Sequence, residues 1–172
     1  MILILLQLAA FAGMVVYLGR WRRSAMRRNE QSWDSLLARL RPDWSARDLS
    51  DQFLWKEGVN ATPADAWQRM GGPKGLWAMY QNAQVMMEMA DYAARNNEDV
   101  DLLLVETLRS DAMQIRVLVL LALAQYGFSK ASEGVRINAF RTASIYSGMA
   151  ARMTQLLQEN AAAVLPDFIA AM

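Results

Sequence analysis

The chain has 172 residues and a mass of 19.4 kDa, 18 basic against 17 acidic side chains, and neither cysteine nor histidine. The length suits one compact domain. Without cysteine there is no disulfide, thiolate nucleophile or cysteine-held zinc or iron–sulfur site. Without histidine there is no Ser-His-Asp triad, imidazole base or Glu-x-x-His di-iron site. No enzyme, cofactor or metal is expected.

Residues Met1 to Gly19 read MILILLQLAAFAGMVVYLG, with Gln7 and the Tyr17 hydroxyl as the only polar side-chain groups. As a helix this segment is about 28 Å long, close to the hydrocarbon thickness of a bilayer. It is read as a transmembrane anchor. Positive charge follows the apolar run, as Arg20, Arg22, Arg23, Arg27 and Arg28, with Trp21 among them. Tyr17 and Trp21 fall where interfacial aromatics belong, and arginines mark the cytoplasmic side. The expected topology is single-pass, N-terminus out, with the C-terminal domain on the cytoplasmic face of a bacterial inner membrane. A cleaved signal peptide is the competing reading, but it would place its charge before the apolar run. A buried soluble helix is the third.

Residues 1–47 hold eight arginines against Glu30, Asp34 and Asp43, whereas residues 48–172 hold ten basic and fourteen acidic groups. The basic block favours anionic headgroups of the bilayer, at roughly 1 kcal/mol per basic residue near the surface. Nucleic-acid binding, the other use of an arginine cluster, is not expected beside an anchor in a nearly neutral chain. The domains are therefore 1–19, the anchor; 20–44, a basic, tryptophan-containing juxtamembrane helix; and 45–172, an all-helical domain.

All six tryptophans lie between Trp21 and Trp77. Trp33, Leu36, Leu37 and Leu40 recur at i, i+3, i+4 and i+7, so they share one helix face. Ser32 can cap that helix, and Pro42 ends it. The stripe either lies in the membrane interface or packs on the domain, and the second reading is preferred because the stripe is short and its helix carries Asp34.

Start and stop signals then follow in order. A short helix opens at Ser45 and closes at Gly58. Thr62-Pro63 with Asp65 opens a second, ended by Gly71 and Gly72. Pro73 begins a long helix to about Asn97, with core stripe Leu76, Met79, Tyr80, Ala83, Met86, Met87, Ala90 and Ala94. Glu98 and Asp99 lead into a second long helix that stops at Gly127, with Leu104, Leu108, Ala112 and Ile115 inward. Its run Val117 to Ala124 is apolar all round and is expected to be enclosed; at eight residues it is too short for a second span. A third long helix starts at Ser129 or Ser132 and reaches about Val164, with Val135, Ala139, Tyr146, Met149, Met153, Leu156 and Leu157 inward. No segment reads as a strand. The expected fold is all-α: an N-terminal transmembrane helix, then an antiparallel helical bundle of three long and two or three short helices.

Few motifs carry chemistry. Gly71-Gly72-Pro73-Lys74-Gly75 lacks the spacing and the strand of a phosphate loop and reads as a turn. Glu88, Asp91 and Glu106 read as solvated charge, with an Asp91–Arg95 pair, rather than as cation ligands. Ser144, Ser147, Gly148 and Ala151 read as a close helix approach. Methionine makes adaptable surfaces as well as cores. Met86 and Met89, with Met89 off the core stripe and expected to be exposed, join Trp33, Leu36, Leu37 and Leu40 as candidate partner-binding residues. The expected function is an accessory subunit, tether or adaptor of a membrane complex, bound to a membrane protein or to its own copies. The alternative is a membrane-bound binding domain or enzyme for an apolar, lipid-like ligand.

Overall fold

The computed structural model describes residues 32–41, 62–130 and 132–172. The expected anchor, with Tyr17, Arg20, Trp21, Arg22, Arg23, Arg27 and Arg28, lies outside these residues, as does the short helix expected between Ser45 and Gly58. The described residues are all-helical, with no strand. Their helices are α1 (Trp33–Leu37), α2 (Pro63–Arg69), α3 (Pro73–Asn96), α4 (Leu102–Ser129), α5 (Glu133–Asn160) and α6 (Leu165–Ala171). All belong to one compact unit, Trp33–Met172.

Local chemistry sets most helix ends. Thr62 caps α2 in a reciprocal box, its hydroxyl accepting from the Asp65 N–H while the Asp65 carboxylate accepts from the Thr62 N–H at 3.2 Å. The Thr62 hydroxyl, then its backbone N–H, hold the Asp65 carboxyl below the usual carboxylate value. That contribution is present above the ordinary carboxylate pKa and is lost as pH falls through the lowered one. Gly71 and Gly72 follow α2 at φ 74° and 64°, a left-handed pair that closes back on the Gln68 and Trp67 carbonyls and reverses the chain into α3. Gly75 sits so near the Met70 carbonyl that a Cβ there would lie 1.8 Å from its oxygen. Asp101 caps α4 by accepting from the Leu103 and Leu104 N–H groups.

Three boundaries differ from the sequence expectation. Beyond α1 the chain tightens through Arg39→Leu36 and Leu40→Leu37 hydrogen bonds, so the helix is one turn and a half rather than ten residues. α4 passes Gly127 and turns at Lys130, where Ser129 and Lys130 satisfy the Gln125 and Tyr126 carbonyls. α5 stops at Asn160, which donates to the Leu156 carbonyl and accepts from Asn97 at 2.5 Å. Pro166 then sits in the first turn of a further short helix, α6, a position that suits proline.

Cross-helix pairs fix the register. Asp91 and Tyr80 of α3 meet Arg109 and Arg116 of α4, so these helices run in opposite directions. Asp111 and Gln125 of α4 meet Arg152 and Asn138 of α5, again opposed. Asn82 of α3 and its cap residue Asn97 meet Tyr146 and Asn160, so α3 and α5 run parallel. Within this triangle Leu76, Met79, Met86, Met89, Leu108, Ile115, Tyr146, Met149 and Met153 are fully buried. Each buried side chain of this size removes about 1.5–3 kcal/mol of apolar exposure. Phe168 of α6 joins the same core, as does Leu36 of α1.

One polar residue sits inside it. Asn82 is fully buried and donates to the Arg41 carbonyl at 2.9 Å and to the Tyr146 hydroxyl at 2.9 Å, while the Arg41 N–H donates to its Oδ1 at 2.8 Å. The Tyr146 hydroxyl in turn reaches the Met172 sulfur at 3.7 Å.

Two outcomes are expected in urea unfolding of the full chain in mild detergent, followed by circular dichroism. Asn82→Leu removes a hydrogen-bond partner from the Arg41 N–H, the Arg41 carbonyl and the Tyr146 hydroxyl and costs about 2 kcal/mol, whereas Gln81→Leu beside it changes stability by less than about 0.5 kcal/mol. Gly75→Ala forces α2 and α3 apart and costs at least about 2 kcal/mol.

Candidate functional site

The sequence-derived partner residues are placed first. Leu36, Leu40, Met86 and Met89 are buried. Trp33 and Leu37 are half-buried against the same core, and Trp33 meets the Tyr92 ring edge-on at 4.8 Å. The exposure expected of Met89 is corrected: α3 is flanked by α1, α4 and α5, so a second stripe beside the Leu76–Met79–Ala83 line is covered too. The α1 stripe is likewise spent on the domain, with Arg39 gripping Glu88 of α3 at 2.5 Å. The Glu88 hydrogen bond raises the Arg39 guanidinium above its usual value.

The three carboxylates weighed as cation ligands are shared between two arginines. Glu88 pairs with Arg39, and Asp91 with Arg109 at 2.7 Å, an arginine that also holds Glu106. Among the described residues no group of three His, Cys, Asp or Glu converges as a metal site does. The glycine-rich segment is the α2–α3 turn described above. Gly148 gives room to the Arg152 guanidinium, which lies 3.3 Å from where its Cβ would be and reaches Asp111 at 2.5 Å.

The main departure from expectation is on α4. The run from Val117 to Ala124 is not enclosed. Only Val119 and Ala122 within it are buried. Met113 is 68% exposed, Val117 60%, Leu120 51%, Leu121 47% and Phe128 95%. The reason is the triangular packing, in which α4 spends one flank on each neighbour. Arg116 meets Tyr80 of α3, Asp111 and Gln125 meet Arg152 and Asn138 of α5, and Ala112, Val119 and Ala122 are buried. Neither α3 nor α5 reaches the third side, so a helix apolar all round leaves one apolar face open.

This face runs about 22 Å from Met113 to Phe128 and carries only Gln114 as a polar side chain near its start. It presents on the order of 600 Å² of apolar surface, the upper end of what monomeric proteins leave open. By length and composition α4 is also apolar enough to cross a membrane, the one such helix among the described residues. Its arginines and aspartate nevertheless engage α3 and α5: Arg116 donates to the Tyr80 hydroxyl at 3.0 Å and lies over its ring, which stacks on Trp77.

The open depressions differ in character. The one between Arg39, Arg41, Trp77, Tyr80 and Gln84 has a volume of about 700 Å³ and mixes charge with aromatic surface. The methionines that would line an apolar cavity between the helices, Met79, Met86, Met149 and Met153, are instead fully buried in the core. No sequence signal beyond the unbroken apolar run distinguishes the α4 face. Composition shows that one side of this helix is surplus to a core stripe, but only the packing shows which side.

Compared with protein-family models, with curated proteins and with solved structures, the chain matches none.

A charge on this face leaves the fold intact. Leu120→Glu is expected to keep the wild-type unfolding midpoint within the range of surface substitutions, about 0.5 kcal/mol, whereas Ile115→Glu on the buried side unfolds the domain. Thermal melts of the two variants check this.

Proposed function

We propose that this protein is a single-pass membrane protein, N-terminus out, that acts as an accessory subunit, tether or adaptor of a complex at the cytoplasmic face. Residues 1–19 hold it in the bilayer and the arginines from Arg20 to Arg28 lie against anionic headgroups, while the segment from Trp33 to Arg41 packs on the domain. The helical domain, an antiparallel bundle, carries the docking surface. The observation that supports this reading is the exposed apolar face of α4, Met113 to Phe128. Apolar surface on this scale marks a contact with another molecule. The residues that bear it differ from those the sequence first suggested, because the α1 stripe and the α3 methionines are consumed by the core. A lipid-binding reading is less well supported, since the core is filled, the depression beside Trp77 is lined with Arg39 and Arg41, and the apolar one is a shallow part of the α4 face lined by Ser110, Met113, Gln114, Val117 and Leu118.

The test is the size and composition of the complex extracted from native membranes in mild detergent, resolved by native gel and mass spectrometry. The wild-type chain is expected in an assembly larger than a monomer, and Leu120→Glu releases it. A wild-type monomer, or an assembly indifferent to Leu120→Glu, overturns the reading.

A further inference from the structure

Arg136 carries a charge that nothing among the described residues answers. It stands in the first turn of α5, the positive end of that helix, where a cation is disfavoured. Its side chain is half-buried, and its Nε is shut off from solvent with no hydrogen-bond partner. Glu133, on the same turn, makes no ion pair with it. A guanidinium does not shed its proton, so this cost stays with the free protein.

Arg136 lines a surface depression of about 550 Å³, with Trp67 and Gln68 of α2 and Gly71, Gly72 and Pro73 of the turn into α3. None of these residues is acidic. The backbone is open at Gly71, where no atom lies within 4 Å of the place a Cβ would take. The Trp67 ring forms another side, packed so closely on the turn that a Cβ at Gly72 would stand 3.3 Å from it. α3 also starts here without a side-chain cap, and the first backbone N–H of that helix to find an acceptor is that of Leu76. The N–H groups of Lys74 and Gly75 are left without a backbone acceptor. A helix start alone selects no ligand; the unanswered arginine in the same depression does.

We infer that this depression is a binding site for the phosphate group of a phosphate ester. One anion there offsets two separate costs, the unpaired guanidinium and the uncapped turn. The planar arginine fork takes phosphate oxygens two at a time. That fork together with the backbone N–H groups calls for acceptor oxygens in more directions than a flat carboxylate offers. A phosphate group fills only part of the depression, and the space beside the Trp67 ring suits the organic part of an ester.

The test uses the full chain in mild detergent, at an ionic strength held constant with sodium chloride. Thermal midpoints are read with inorganic phosphate and with glycerol phosphate, and binding is read from broadening of the phosphorus resonance of the ester. The wild-type midpoint is expected to rise by at least about 3 °C at saturating ester, and the resonance to broaden. Arg136→Gln is expected to lose both responses. Without ligand it unfolds at the wild-type midpoint or above, because it removes an unpaired, half-buried charge. Arg141→Gln, on the exposed side of α5, keeps both responses. No response in the wild type, or an equal one in Arg136→Gln, overturns the inference. A ligand-free Arg136→Gln midpoint well below that of the wild type overturns it too, since the charge is then answered within the chain. Nanodiscs of phosphatidylglycerol and of phosphatidylcholine separate the two sources of the ester. If the anionic bilayer abolishes the broadening, a lipid headgroup fills the site; if both bilayers leave it, the ligand is a soluble ester. The site stands in either case.

Discussion

The buried amide of Asn82 is the constraint on which the arrangement of the domain turns. Four segments distant in sequence meet at or beside it: the chain leaving α1 at Arg41, α3 itself, α5 through Tyr146, and the C-terminal residue Met172 through the tyrosine hydroxyl. An apolar core built from methionine is tolerant, since an unbranched thioether adapts to irregular space. Such a core specifies burial but not a unique register. A buried amide does the opposite. It gains about 1 kcal/mol net from each hydrogen bond made, yet leaves several unsatisfied if either neighbour slides by a turn. Asn82 therefore selects one register of α3 against α5 among those the methionines would accept.

That fixed register determines what α4 can bury. With α3 and α5 locked parallel, α4 returns between them as the third corner of a triangle and shows each neighbour one flank. The ion pairs Asp91–Arg109 and Asp111–Arg152 lie along those two flanks and set the rotation of α4 about its own axis. They are partly exposed, so their contribution to stability is modest. Their consequence is geometric. Turning α4 to hide Val117 and Leu121 would pull Arg109 from Asp91 and Asp111 from Arg152. The open apolar face is thus the remainder left by two satisfied flanks.

Much of this was legible in the residues, and the limits have physical causes. Thr62-Pro63-x-Asp65 and the Gly71-Gly72 pair act locally, through hydrogen bonds within four residues or through φ, so their positions could be read directly, whereas the cap of α4 is Asp101 rather than the Glu98 and Asp99 that precede it. The inward stripes of α4 and α5, such as Leu104–Leu108–Ala112–Ile115, follow from one helical period. What local patterning lacks is the number of neighbours a helix has. α3 is flanked by α1, α4 and α5, and so Met89 is covered; α4 is flanked along its length by α3 and α5, with Trp67 of α2 meeting Tyr126 only near its end, and so Leu120 is not. Asn82 also had a signal, standing three residues after Met79 and four before Met86 on an otherwise apolar line. Its role depended on Tyr146 and Arg41, residues 64 and 41 positions away.

The two candidate surfaces are distinguished by what already covers them. The α1 stripe and the methionines of α3 looked the more promising, because tryptophan and methionine are common at binding surfaces. Their partners proved to be each other. Leu36 and Met86 fill one core, and Arg39 fastens α1 over α3 through Glu88. A residue type favoured at interfaces is equally favoured wherever two elements of one chain meet, since both contacts exclude water from apolar area. On α4 the same chemistry has no partner among the described residues. A helix without a charged residue from Val117 to Ser129, held with one side to solvent by ion pairs on its other two, leaves that burial free energy unspent within the described domain.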